Sequence, residues 1–240
     1  MSEDTLTIKS FDPDKIKSDK PVSDLILTID GPGGAGKSAV SRKIAERLGF
    51  TYLDTGAMYR AVALAVDHNN ISVEDESAVC ALCQHIDLQL EKNSIFLNKE
   101  DVTHLLRTPK MDMLASDVSR LECVRSFLGD LQRQIGTRGK IVAEGRDMGT
   151  VIFPNALAKI FLTATPEVRA KRRYDQLSRK GVDANYNDLL AQLIRRDEAD
   201  SNRLIAPLRP AEDALVVDST DLTLDEVVNK IIKFAIKKFM

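Results

Sequence analysis

Gly31-Pro32-Gly33-Gly34-Ala35-Gly36-Lys37-Ser38 is a stretch whose residue types and spacing suit the holding of phosphate. Glycines let the backbone turn its N–H groups inward around phosphate oxygens, and the start of a following helix adds partial positive charge. Lys37 is placed to reach the β- and γ-phosphates of a nucleotide, and the Ser38 hydroxyl to ligate Mg2+. The pattern G-x-x-x-x-G-K-[ST] carries this meaning only between a strand and a helix. Both neighbours are present: Leu25-Ile26-Leu27-Thr28-Ile29 is an apolar run, and Ala39 to Leu48 reads as helix. The expectation is a nucleoside triphosphate site over Gly31 to Ala39, with Mg2+ held by Ser38 and the nucleotide phosphates.

A second set of charged residues lies far along the chain. Between Arg169 and Arg203 there are seven arginines against two lysines. On a helix Arg169, Arg172 and Arg173 share one face, and Arg196, Asp200 and Arg203 share another. A solvated face paired with Asp175, Asp197 and Glu198 would look the same. The excess of arginine, whose planar fork suits phosphate oxygens, and its place after a core strand favour phosphate contacts for at least three of them. A helical cover over a nucleotide would hang at this point. Phosphoryl transfer needs alignment and charge neutralisation more than covalent help. The sequence offers no histidine or paired-carboxylate base near the glycine loop, which suits an already ionised phosphate acceptor better than an alcohol.

The elements that must position these residues alternate between strand and helix. Phe50 to Asp54 reads as a second strand, ending at Asp54-Thr55-Gly56-Ala57-Met58-Tyr59-Arg60, with helix from Ala61 to Val66. Lys140 to Glu144, Ala158 to Leu162 and Ala214 to Asp218 read as further buried strands. Pro166 opens a helix, and Ser219 or Thr220 precedes a closing helix with Val227, Ile231, Phe234, Ala235 and Phe239 on one face. Between them, Asp87 to Leu90 and Ser94 to Leu97 alternate around a turn at Glu91-Lys92-Asn93, and a third short piece follows at Glu100 to Val102. Short helices are expected at His104 to Arg107 and Lys110 to Ser119, broken at Pro109, with a longer one from Glu122 to Ile135. The fold expected is a parallel α/β sheet flanked by helices, of the P-loop nucleoside triphosphate hydrolase type, carrying a small inserted antiparallel sheet and an arginine-rich helical lid.

Composition narrows the setting. The chain has 240 residues, 43% of them hydrophobic, and a net charge of −2, so no overall field draws it to nucleic acid or an anionic membrane. No apolar run approaches membrane-spanning length, and a cytoplasmic protein is expected. Residues 1–20 are polar and poor in aromatics and read as a mobile extension. Three cysteines give no disulfide framework. Cys80 and Cys83 form a C-x-x-C, which suits a redox pair or half a zinc site, but flanking Val79, Ala81 and Leu82 favour an apolar helix face.

Taken together, four blocks resemble the bacterial cytidylate kinase family, the CMP/dCMP kinases of the nucleoside monophosphate kinase group. They are Asp30-Gly31-Pro32 with the glycine loop, Asp54 to Arg60, Glu144 to Val151, and Arg196-Asp197 through Asp200-Ser201-Asn202-Arg203. The resemblance covers Leu25 to the C-terminus and implies phosphoryl transfer from ATP to CMP or dCMP, with Mg2+, in pyrimidine nucleotide metabolism. It implies that Arg60, Arg146 and Arg203 hold the CMP phosphate, and that Arg125 and Asp147 read the cytosine edge. It places Thr55 in the CMP site, where the family has a common Ser, and Ser116, Arg196 and Asp200 near the base and ribose hydroxyls. Arg172 and Arg173 fall in the lid, with Arg173 favoured as the group beside the transferring phosphoryl, and Lys37 and Arg146 complete the catalytic set. Glu144 departs from the Asp common in the family. A domain over 21–240 follows, with a nucleoside monophosphate region at about 57–119 and a lid at about 168–190, acting as a monomer without nucleic acid or membrane.

Three other readings compete, one of them a non-enzymatic nucleotide-binding scaffold, against which the intact Lys37, Ser38 and arginine set speak. Asn98-Lys99-Glu100-Asp101 spells the N-K-x-D guanine signature of a GTPase-type switch, although it follows an inserted strand and no D-x-x-G occurs after the glycine loop. A kinase for a sugar, shikimate or another nucleotide would share the loop.

Overall fold

Buried aliphatic runs form the centre of the molecule. The computed structural model describes residue 21 and residues 25–91, 94–179 and 181–240. The extension expected over 1–20 lies outside the described residues, as do Lys92 and Asn93 of the expected turn. Strands β1 (Ile26–Asp30), β2 (Thr51–Asp54), β6 (Ile141–Gly145), β7 (Ala158–Thr163) and β8 (Leu215–Asp218) make one parallel sheet in the order β2-β6-β1-β7-β8. β1 and β6 are buried at every position, as parallel strands covered on both faces must be.

Helices cover the two faces. Leu27 and Ile29 of β1 pack with Ile44 and Leu48 of α1 (Lys37–Leu48) and with Val228, Ile231 and Phe239 of α8 (Leu224–Phe239). On the other face Ile26, Ile141 and Ala143 meet Met58 and Val62 of α2 (Thr55–His68) and Leu128 of α5 (Glu122–Gly136). Truncating any such fully buried Leu or Ile to Ala costs about 2–5 kcal/mol.

The insertion sits beyond α2. It comprises α3 (Glu76–Cys83), an antiparallel sheet of β3 (Leu88–Glu91), β4 (Ser94–Leu97) and β5 (Glu100–Asp101), a single 3-10 turn at Thr103–Leu105, and α4 (Pro109–Val118). Asn98 and Lys99, both at positive φ, form the turn between β4 and β5. The N-K-x-D tetrapeptide is thus part of a hairpin in the insertion. After β7 come α6 (Pro166–Ser178) and α7 (Tyr186–Asn202), packed on each other.

Four details differ from the sequence expectations. Thr55 to Arg60 are already helical, because the Asp54 carboxylate accepts from the Ala57 N–H at 2.9 Å and caps α2 at its first turn. Pro109 begins α4, where its missing N–H costs nothing, and Thr108 caps it. The closing helix starts after Thr223, which forms a reciprocal capping box with Glu226. Finally, Cys80 of α3 and Cys123 of α5 form a disulfide, leaving Cys83 as a buried free thiol. The C-x-x-C spacing pointed along one helix, whereas the pairing runs across two.

Candidate active site

The loops leaving the C-terminal ends of β1, β2 and β6 converge, because these three strands are parallel neighbours. Open α/β sheets bind ligands at this edge. A cleft of about 440 Å3 opens there, lined by the glycine loop, α2, α4, α5, the segment after β6, α6 and α7. Nine basic side chains face five acidic ones around it, so its field is suited to polyanions.

The glycine loop owes its shape to two different constraints. A Cβ on Gly31 would lie 1.9 Å from the Leu162 carbonyl oxygen of β7, so this position admits no side chain. Gly36 has open space around it but φ +93°, a left-handed conformation at the start of α1 that disfavours any other residue. Lys37 Nζ is buried and donates to the carbonyl oxygens of Gly31 and Pro32, each at 2.7 Å. Burial and the neighbouring Arg146 lower the lysine pKa well below its usual range, which Glu144 partly opposes. An anion beside Lys37 would relieve both effects.

Glu144, at the end of β6, stands beside Ser38. Burial, with Asp54 second, raises its pKa. Its Oε1 accepts from the Tyr52 hydroxyl, while Oε2 is buried without a hydrogen-bond partner among the described residues. A buried carboxylate oxygen left unpaired next to a hydroxyl fits a hard cation with oxygen ligands. No group of three or more His, Cys, Asp or Glu side chains among the described residues could hold a metal unaided. Nucleotide phosphates would have to complete the coordination.

On the other side of the cleft the arginines face one another. Arg146 Nε donates to Asp200 at 2.8 Å, and Arg125 forms a buried ion pair with Asp147 while also donating to the Ser119 carbonyl at 3.2 Å. The Arg125 guanidinium lies 5.8 Å from the centre of the Tyr59 ring. Arg60 pairs loosely with Asp54 and Asp112, at 3.6 Å each. Burial followed by neighbouring arginines lowers the pKa of Arg196 and Arg203. Arg60 Nε, Arg196 Nε and Arg203 Nη2 are buried with no hydrogen-bond partner among the described residues. Three orphaned guanidinium donors around one cavity are costly unless an anion satisfies them.

Asp30 organises this side from beneath. Its carboxylate accepts from the backbone N–H groups of Met148 and Gly149, at 2.8 and 2.7 Å, and so ties the end of β1 to the segment carrying Arg146 and Asp147. Burial pushes its pKa up to about 6, against the lowering effect of those two hydrogen bonds.

Most residues singled out in the sequence meet here. Gly33, Gly34, Gly36, Lys37, Ser38, Ala39, Thr55, Arg60, Arg125, Arg146, Asp147, Arg172, Arg173, Arg196, Asp200 and Arg203 all line the cleft. Ser116 is not among the lining residues: Ser119, on the last turn after α4, reaches the cleft and donates its hydroxyl to the Ser116 carbonyl at 2.8 Å. Arg169, grouped by spacing with Arg172 and Arg173, is buried and bound to the Gly33 and Ala164 carbonyls and to Asp197, so it props the glycine loop. Arg172 is committed to Ser219, donating to its Oγ at 3.0 Å and its carbonyl at 2.6 Å. Arg173 instead reaches across the cleft to Asp112 at 2.7 Å. Sequence reading missed Tyr59, Arg107 and Asp112 as lining residues. Asp112 carries a residue-type signal, an acid in a helix's first turn, but no spacing that marks its partners.

Comparison with known proteins gives concordant results. The family model described as cytidylate kinase matches residues 27–237. A cytidylate kinase of Carboxydothermus hydrogenoformans is 48% identical over 216 residues, covering 88% of this chain and 97% of its own. One from Colwellia psychrerythraea is 48% identical over 215 residues, covering 88% and 95%. One from Vibrio cholerae is 46% identical over 219 residues, covering 90% and 97%.

Proposed function

This chain belongs to the cytidylate kinase family, and from that premise we propose how its cleft divides the work of the reaction. The chain transfers the γ-phosphoryl group of ATP to CMP or dCMP, giving ADP and CDP or dCDP. In the proposed arrangement ATP lies with its phosphates over Gly31 to Ala39, where loop amides and Lys37 receive the β- and γ-phosphates. Lys37 leaves the Gly31 and Pro32 carbonyls and turns to the nucleotide. CMP lies opposite, its phosphate between Arg60, Arg146 and Arg203. The orphaned donors of Arg60, Arg196 and Arg203 are the observation that supports this placement.

The base is read by Arg125 and Asp147. A carboxylate accepts from the exocyclic amine of cytosine, as acids do in DNA, and a guanidinium donates to the ring acceptors. Thr55, Arg196 and Asp200 line the region assigned to the rest of the nucleotide, while Ser116 contributes through Ser119. The attacking oxygen belongs to a phosphate whose second pKa is about 6, so it is ionised without a general base. What the protein supplies is alignment and charge: Arg173, and behind it Arg172, approach the transferring group as α6 and α7 close over both nucleotides.

Mg2+ fits the pair of Ser38 and Glu144, on the evidence of the unpaired Glu144 Oε2. When bound with ATP it neutralises developing charge on the β- and γ-oxygens. Residues 57–119 act in this scheme as the monophosphate-binding region and 168–190 as the lid. No helix among the described residues is long and apolar enough to cross a membrane. In the proposed scheme the chain works as a monomer in the cytoplasm on free nucleotides; its net charge of −2 gives no overall field to hold nucleic acid.

The test is ADP release with ATP, Mg2+ and each of CMP, dCMP, UMP, AMP, GMP and shikimate. CMP and dCMP should exceed every other acceptor in kcat/KM. A higher value with AMP, GMP or shikimate would overturn the base-reading assignment.

A further inference from the structure

The five acidic side chains of the cleft have different obligations. Glu144 stands at the cation position, Asp147 is held by Arg125, Asp200 by Arg146, and Asp54 caps α2 and pairs with Arg107 at 2.9 Å. Asp112 differs. Its Oδ2 accepts from Arg173 Nη2 at 2.7 Å and its Oδ1 lies 3.6 Å from Arg60 Nη1. Arg60 belongs to α2, Asp112 to α4 and Arg173 to α6, so one carboxylate joins the monophosphate-binding wall to the lid. Arg60 and Arg173 are also two of the groups that the reading above assigns to substrate phosphate, and this inference rests on that reading.

We propose that Asp112 is a positioning residue that stands in for substrate phosphate while the cleft is empty, clasping Arg60 and Arg173 together and yielding them when the nucleotides arrive. A phosphate carries more charge than a carboxylate and a third acceptor oxygen, so it displaces Asp112 from both guanidiniums. The clasp keeps two flexible arginines ordered and the lid near its closed position. It also competes with the substrate. Arg173 and Asp112 are about one-third exposed and Arg60 is 15% exposed at 3.6 Å, so the ion pairs are partly screened and their competition is modest. A structural alternative exists, since Asp112 lies in the first turn of α4, where an acid favours the helix dipole. That role predicts altered stability with no change confined to the ligand-free lid.

The experiment compares Asp112→Asn and Asp112→Ala with the parent chain and with Asp112→Glu. Steady-state kinetics with ATP, Mg2+ and CMP should give a KM for CMP about two- to fivefold lower in the Asn and Ala variants. Hydrogen exchange of peptides from α6 and α7 should be faster in these variants without ligand, and equal to the parent with CMP and a non-hydrolysable ATP analogue bound. Asp112→Glu should restore the parent pattern. A KM for CMP that is unchanged or raised overturns the proposal, and so does ligand-free exchange equal to the parent. Failure of the CMP assignment would show in the acceptor comparison while the ligand-free exchange difference persisted, so the two ideas can fail separately.

Discussion

Replacing Asp30 by Asn tests whether the segment after β6 is held by charge. In the parent, both carboxylate oxygens accept backbone N–H groups, from Met148 at 2.8 Å and Gly149 at 2.7 Å. Asn has nearly the same shape but one acceptor oxygen, so its amide nitrogen must confront one of the two N–H donors. Leaving a buried donor unsatisfied costs about 1–3 kcal/mol. The same substitution removes a buried charge, which offsets part of that cost, so stability at pH 7 should change little. The proton linkage separates the two effects. A folded-state pKa of about 6, raised from 3.8 by burial, means that the folded protein binds a proton more tightly than the unfolded chain. The resulting stabilisation is fully present below pH 3.8 and is lost as pH rises through 6. Between pH 7 and pH 5 the parent should therefore gain about 1.3 kcal/mol relative to Asp30→Asn. Urea unfolding of both proteins at the two pH values measures this, because other titrating groups cancel in the difference. Displacement of Arg146 and Asp147 should meanwhile lower kcat/KM for CMP by up to about 100-fold. A stability gap that does not change between pH 7 and pH 5 would refute the reasoning.

Lys37→Ala should lower kcat by about 100-fold or more while leaving the thermal midpoint equal to or above the parent's, since a buried cation facing Arg146 is removed; near-normal turnover contradicts its assignment. Asp147→Asn should raise the KM for CMP at least about tenfold with the KM for ATP within about twofold, and an unchanged preference among monophosphates counts against cytosine reading. Chelation of Mg2+ with excess EDTA should abolish turnover, and Glu144→Gln should raise the Mg2+ concentration needed for half-maximal rate; activity indifferent to EDTA would remove the cation from the scheme. A non-reducing peptide map should link Cys80 to Cys123, and reduction should cost about 4 kcal/mol of stability for a 43-residue separation on the chain-entropy view. Because a reducing cytoplasm keeps such thiols apart, the map is made on protein oxidised after purification, and free thiols persisting there would argue against the bridge.

The glycine loop and the parallel strands were legible because their signals are local: a motif with strand before and helix after, and aliphatic runs of strand length. The arginine-rich segment of α6 and α7 was legible as composition but not as wiring. Spacing put Arg169 on one face with Arg172 and Arg173, yet only the approach of α6 to the glycine loop and α7 turns Arg169 toward Gly33 and Asp197. Asp112 was illegible for the same reason, its partners being 52 and 61 residues away in sequence. The Cys80–Cys123 pairing depends on how α3 lies against α5, which neither cysteine's neighbours encode. Thr55 to Arg60 looked like a ligand loop because its residue types suit ligands, and the cap from Asp54 that makes it helical is also part of the cleft wall.

The strand order has one more consequence. On the proposed assignment β1 delivers the donor's loop and β6, its hydrogen-bonded neighbour, delivers the acceptor's arginine and aspartate; the two strands pair in register from Ile26–Ile141 to Asp30–Gly145. In that arrangement the meeting point of the two substrates is fixed by main-chain pairing. Side chains on α4, α5 and α7 can be exchanged to admit a different acceptor without moving the place where phosphorus changes hands.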